Sequence, residues 1–153
     1  MKIAYINPFV AAATNVLKKE TKGEVKRGPL SVSSESVTCD EITALVSVAG
    51  DIYGMVMYSM SERTAKGIVS RMTGEPVPVF DQLAQSAIGE MGNVITGIAS
   101  SSLEEAGYVC RIAPPTLIMG RGVYISTVQL QRLVIPIETE VGDLTISVAL
   151  NEG

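Results

Sequence analysis

The chain has 153 residues and a formal net charge of −4; it is 46% hydrophobic and 18% charged, with a mean hydropathy of +0.31. That composition fits one globular domain over residues 1–153 and excludes a disordered chain, while the scattered basic residues and the lack of a long apolar run make nucleic acid and membrane poor partners. The sequence holds no histidine, which excludes a Ser–His–Asp triad, a histidine-bearing metal site and a phosphohistidine relay, and leaves carboxylates, amides and hydroxyls for any chemistry.

Taken in chain order, the first element is a helix capped by Asn7, opened by Pro8 and running to Glu20, with Phe9, Val10, Ala13, Val16 and Leu17 on one face. Lys2 ahead of Ile3 to Leu17 has a faint look of a signal peptide. Asn7-Pro8 interrupts that pattern and Thr14-Asn15 falls where a cleavage region would be, so the helix is the better reading. Gly23 ends it. Strands are expected over Pro29 to Val37, Ile42 to Val48 and Ile52 to Met60, the last two joined as a hairpin at Gly50-Asp51. Their nearly continuous apolar content points to a sheet with little solvent on either face. A second helix starts at the N-cap Ser61, buries Ala65, Ile68, Val69 and Met72, and stops at Gly74 and Pro76. A short connector, Glu75 to Val79, leads into the longest helix, about Phe80 to Ala106.

Further strands are expected over Val109 to Ile112, Thr116 to Met119, Thr127 to Ile137 and Leu144 to Leu150, with Pro114-Pro115 breaking the run and discouraging edge pairing. Met55, Met57, Met60, Met72 and Met91 read as core filling. No Cys-x-x-Cys occurs, which argues against zinc; Cys39 and Cys110, as unclustered thiols, point to a reducing, cytoplasmic setting and leave a single disulfide open. A weak repeat is visible. Val48-Ala49-Gly50-Asp51-Ile52 echoes Glu140-Val141-Gly142-Asp143-Leu144, and Gly28-Pro29-Leu30-Ser31-Val32 resembles Ala113-Pro114-Pro115-Thr116-Leu117. The expected architecture is therefore α+β: two layers, a mostly antiparallel sheet with long helices packed against it, built from a duplicated helix–strand–strand–strand unit with the second helix between the copies.

The long helix is unusual for a surface helix. Between Gln82 and Leu103 its only charge is Glu90. Leu83, Ala87, Ile88, Met91, Val94, Ile95 and Ile98 are assigned to the core face, while Ser86, Glu90, Asn93 and Gly97 share the opposite face with Gly89 at its border. If that face packed against the first helix, Glu90 and Asn93 would be buried polar groups with few mates, at a cost of several kcal/mol. If it is open, it is a docking surface on which Ser86, Gly89 and Gly97 admit a partner's backbone. Glu90 and Asn93 lie three apart and point the same way: an amide that holds one water beside a carboxylate that accepts from a lysine. The face has no carboxylate pair for glycosidase-type work.

The run Ser86-Ala87-Ile88-Gly89-Glu90-Met91-Gly92-Asn93 resembles the Ser/Asp-x-x-x-Glu-x-x-Asn motif of the CheC/CheX/FliY family. Ala113-Pro114-Pro115-Thr116, the Gly120-Arg121 turn and the hairpin Val48 to Met60 are similar to the CheX branch. The resemblance implies a CheC-like fold and a phosphatase of the phosphorylated chemotaxis regulator CheY. It assigns water orientation to Asn93, the regulator's lysine to Glu90 and a supporting place to Ser86; no cofactor is held by this chain, and Mg²⁺ is held by the regulator. The first helix has Asn15 but no matching glutamate, so one active face per chain is expected, as in CheX, along with a homodimer through a sheet edge, Thr127 to Ile137 or Leu144 to Leu150. A non-catalytic CheY-binding or flagellar-switch-like module of the same fold is the alternative. A third possibility is a purely structural dimer in which the Glu90 face is buried.

Overall fold

A computed structural model of the chain describes residues 3–33, 37–38, 40–126 and 131–152; Cys39, the middle of the expected strand Pro29 to Val37 and the first residues of the expected strand Thr127 to Ile137 lie outside them. The first helix, α1 (Ile3–Thr21), starts upstream of Pro8 and contains it. Asn7 is therefore no cap. Pro8 sits near the helix start, where it forfeits only the amide that would meet the Ala4 carbonyl, and burial of Tyr5 and Phe9 holds the residues around it in place.

After β1 (Val25–Arg27), the strand expected over Pro29 to Val37 forms only in part: β2 (Ser31–Ser33) lies within it and Val37 begins β3 (Val37–Thr38). The hairpin β4 (Ile42–Gly50) and β5 (Ile52–Met60) forms as expected. Helix α2 (Glu62–Thr73) starts where Ser61 Oγ accepts from the Thr64 amide at 3.1 Å and ends on Gly74 at φ 76°. Helix α3 (Gln82–Glu105) is capped by Asp81, whose Oδ1 accepts from the Ala84 amide at 2.9 Å. The remaining strands are β6 (Cys110–Ile112), β7 (Thr116–Met119), β8 (Tyr124–Ile125), β9 (Arg132–Thr139) and β10 (Gly142–Glu152).

Strand order shows the duplication directly. The main sheet runs β1-β9-β10-β5-β4-β6, with β2 also on β9 and β7 also on β4, and β3 pairs β8 on its own. Exchanging each strand for the one five places along reproduces the same order reversed. The two hairpins, β4–β5 and β9–β10, meet at the centre through β5 and β10, from Leu144 opposite Met60 to Glu152 opposite Ile52, and every pairing is antiparallel. The duplicated unit is thus one helix with five strands rather than three. Neither strand expected to make a dimer edge is free: β10 is paired on both sides, and β9 lies between β10 and the β1 and β2 segments.

The core lies between the helices and one face of this sheet. Val46, Val56, Tyr58, Ile146 and Ile135 face it with no exposed area, and α1 packs along α3 above them. The opposite face is covered only in part. Thr43, Met57, Ser147 and Ala149 are buried there, whereas Ser47, Ala49 and Tyr53 are open. The continuous apolar pattern of β4 and β5 thus overstates the cover at the Gly50 end. Met60 and Met91 fill the core as expected, and Met55 and Met72 are only partly buried.

Helix α3 lies close to the sheet at one point. A Cβ on Gly92 would stand 3.0 Å from Cδ2 of Tyr58 and 3.5 Å from Cβ of Ala44. A Cβ on Gly89 would meet only Pro115, at the ordinary distance of 3.5 Å. Both exchanges to alanine gain up to about 1 kcal/mol of helix propensity. At Gly92 that gain is set against overpacking of about 1–3 kcal/mol on a ring that has no room to retreat. We therefore expect Gly92→Ala to destabilise the protein, by about 1–2 kcal/mol, and Gly89→Ala to leave it unchanged or stabilise it by up to about 1 kcal/mol. Denaturant unfolding of the two variants beside the wild type checks the opposite signs.

Candidate active site

The face of α3 that carries the motif is open. Ser86 and Glu90 are exposed, and Asn93 and Gly97 are half-buried. The four stand together as the helical spacing demands, and the face is not packed against α1 within the chain. Gly89 departs from expectation: it is buried, with Pro115 against it, and does not itself offer backbone to a partner. Pro115 has more than the strand-breaking role that a double proline suggests. With Gln85, Ser86, Gly89, Glu90 and Leu117 it lines a cleft of about 370 Å³ beside the motif.

The core face of α3 departs in part from the wheel assignment, which holds for Ile88, Met91 and Ile95. Ala84, Ile88, Gly92, Ile95, Thr96 and Ala99 are buried, whereas Leu83 is 77%, Val94 40% and Ile98 46% exposed. Small residues such as Gly92 and Ala99 share the buried face with Ile88, Met91, Ile95 and Leu103, so exposure follows the helical angle and not side-chain size. Helix geometry carried the signal: at about 100° per residue Leu83 lies within about 20° of Glu90, and Val94 within about 40°.

A buried hydroxyl chain holds the helix from behind. Thr96 Oγ1 donates to the Gly92 carbonyl at 2.8 Å, so the 2.7 Å contact between Tyr58 and Thr96 is made by the Tyr58 phenol donating. Burial raises the Tyr58 pKa above its ordinary value, which keeps the phenol protonated. Asn93 follows Gly92 directly and points the other way. Its Oδ1 is buried and has no hydrogen-bond partner among the described residues. Among those residues Glu90 likewise has no ion-pair partner. A buried amide oxygen left without a donor costs about 1–3 kcal/mol, so its retention points to a donor that arrives from outside. Arg121 is committed to Glu41 at 3.4 Å, and neither it nor the exposed Arg111 lines the cleft at Glu90. Cys110 is a free thiol 3.1 Å from Ser100 Oγ.

An amide and a carboxylate on one open helix face can orient a water and grip a cation. This arrangement, on a duplicated antiparallel sheet, is the one that the resemblance to the CheC/CheX/FliY phosphatases leads one to expect. Residues 42–138 match the family described as chemotaxis phosphatase CheX. The chain is 31% identical over 128 residues to the CheY-P phosphatase CheX of Thermotoga maritima, with 83% of each chain covered. A crystal structure of the chemotaxis protein CheX from Desulfovibrio desulfuricans matches with a TM-score of 0.85 and 28% identity, over 97% of this chain and 99% of that one. The CheX–CheY–beryllofluoride–magnesium complex of Borrelia burgdorferi matches with a TM-score of 0.83 and 26% identity, over 97% and 98%. The chain belongs to the CheX family of chemotaxis phosphatases.

The hydroxyl chain behind the site makes an asymmetric prediction. Tyr58→Phe removes a donor and leaves Thr96 still bonded to Gly92, for a loss of about 1 kcal/mol. Thr96→Val leaves the Tyr58 phenol buried without an acceptor and is expected to cost about 1–3 kcal/mol. Chemical denaturation should rank Thr96→Val below Tyr58→Phe.

Proposed function

We propose that this chain hydrolyses the aspartyl phosphate of a phosphorylated CheY-type response regulator, with the α3 face as the catalytic surface. The observation that carries the reading is the pairing of an exposed, unpartnered Glu90 with an Asn93 amide whose oxygen has no donor, side by side on an open face. The Thermotoga maritima relative bears the name of that activity, and the Borrelia burgdorferi relative is found bound to CheY.

In this reading α3 lies across the regulator's phosphorylation site. Glu90 accepts from the regulator's lysine and sets the docking register. Asn93 holds the attacking water: rotation about its Cβ–Cγ bond presents the amide oxygen to a water hydrogen, and the amide nitrogen donates toward a phosphoryl oxygen. Water attacks phosphorus opposite the aspartyl oxygen, the P–O bond to the aspartate breaks, and the water's oxygen leaves as part of inorganic phosphate. The leaving group is a carboxylate, with an ordinary pKa of about 3.9, and departs without a proton. No general acid is required, which agrees with a chain that lacks histidine. Positioning and electrostatics supply most of the rate in phosphoryl transfer. Magnesium belongs to the regulator's acidic pocket in this account and neutralises charge on the phosphoryl oxygens.

Ser86 supports the register from the same face, and Gly97 leaves room for the partner's backbone beyond Asn93. We place the activity in the cytoplasm, and we assign the mean hydropathy of +0.31 to a homodimer. Its edge is then the β2 side of the sheet, where Leu30 is 41% and Val32 63% exposed. Sedimentation that finds only monomer overturns the dimer assignment.

Steady-state release of phosphate separates the two roles. Asn93→Ala is expected to lower kcat by roughly a hundredfold or more while leaving affinity for the beryllofluoride-loaded regulator unchanged. Glu90→Gln is expected to raise KM by about tenfold. An Asn93→Ala variant that turns over at the wild-type rate removes the water-positioning role. A tight wild-type complex that releases no phosphate would instead assign a binding module.

A further inference from the structure

A second groove adjoins the site. It holds about 770 Å³ and runs between the α2–α3 connector and the first half of α3. Val77, Val79 and Leu83 form much of its apolar wall, and Ser86 and Glu90 belong to its lining as well. Leu83 is 77% exposed, the most open large apolar side chain among the described residues, and Val79 is 66% exposed. Glu75, Asp81 and Glu90 give the lining three carboxylates, and it includes no lysine or arginine.

Resting on the phosphatase reading, we propose that this groove receives a second segment of the same response regulator, one that presents an aliphatic or aromatic side chain flanked by a basic residue. Two observations select that occupant. First, the groove shares Ser86 and Glu90 with the catalytic face, so a partner seated over Glu90 lies across the groove mouth; the interface is continuous. Second, an apolar wall edged only by carboxylates is complementary to an apolar group beside a cation, and it repels an acidic segment. A contiguous exposed apolar patch rimmed by polar groups marks an interaction site. The groove thereby supplies affinity, and the chemistry stays with Glu90 and Asn93.

The test uses Leu83→Ser, Val79→Ser and Glu75→Lys, all at exposed positions outside the catalytic pair. Leu83→Ser is expected to raise KM for the phosphorylated regulator by about tenfold with kcat unchanged. Binding of a CheY-type regulator loaded with beryllofluoride and magnesium should weaken by the same factor. Val79→Ser should act in the same direction with a smaller factor. Glu75→Lys should raise KM and flatten its rise with salt, because one attractive charge has become repulsive. Unchanged KM and unchanged binding in Leu83→Ser, with normal turnover, overturn the groove and leave the phosphatase reading standing. Weakened binding in a protein that releases no phosphate supports the groove and sinks the phosphatase reading. Loss of a dimer in Leu83→Ser, with KM intact, overturns the proposal in favour of a second copy of this chain.

Discussion

The contact on which most of this structure depends is the one between Gly92 and the ring of Tyr58. It sets how close α3 comes to the sheet. With the Tyr58 phenol donating to Thr96, and Thr96 to the Gly92 carbonyl, the ring is fixed and the helix is fixed to it. At the closest point the inner face carries the small residues Gly92, Thr96 and Ala99, and Ile88, Met91, Ile95 and Leu103 are buried along the rest of it. The outer face carries Leu83, Val94 and Ile98 around Glu90 and Asn93. Docking surface and core are thus two faces of one helix.

The two halves of the molecule make the same point by contrast. Strand order is symmetric, and α1 and α3 occupy equivalent places in the duplicated unit. Their use has diverged. Helix α1 buries Tyr5, Phe9 and Leu17 almost completely and is a core helix of the ordinary kind. The Tyr5 ring meets that of Tyr108 edge-on at 5.3 Å, and its hydroxyl donates to Glu152, which ties the helix start to the last strand. Helix α3 gives up bulk on its inner face and gains an open polar one. One copy of the duplication anchors, and the other presents the open face of Glu90 and Asn93.

Much of this was legible in the sequence. Ser61 and Gly74 bound α2 because capping and the left-handed φ are local properties of single residues. Of the two short echoes that showed the repeat, one is the pair of hairpin turns, which keep their Gly-Asp, and the other keeps a proline ahead of β2 and β7. The shared face of Ser86, Glu90, Asn93 and Gly97 followed from helical spacing alone. The wheel assignment put Leu83, Val94 and Ile98 in the core, although their angles set them beside Glu90. What was not legible depended on distance between elements. Gly89 looked like a free approach surface because Pro115 is far away in the chain and close to it in the fold. Pro8 looked like a helix start because the packing of Tyr5 and Phe9 that carries the helix past it is tertiary.

A surface of this kind also explains how so few reactive groups suffice. The reacting bond, its leaving carboxylate and the cation that shields the phosphoryl oxygens all come with the regulator in the proposed complex. What remains is to hold one water in line and to exclude other arrangements. Both are problems of geometry. A half-buried amide is suited to the first, because it offers a donor and an acceptor at a fixed spacing and stays uncharged as the reaction proceeds. Rigidity is suited to the second, because a misplacement of about 1 Å costs a factor of about a hundred in rate. The hydroxyl chain from Tyr58 through Thr96 to Gly92 ends one residue from Asn93. The same close packing thus also stiffens the backbone from which the Asn93 amide projects.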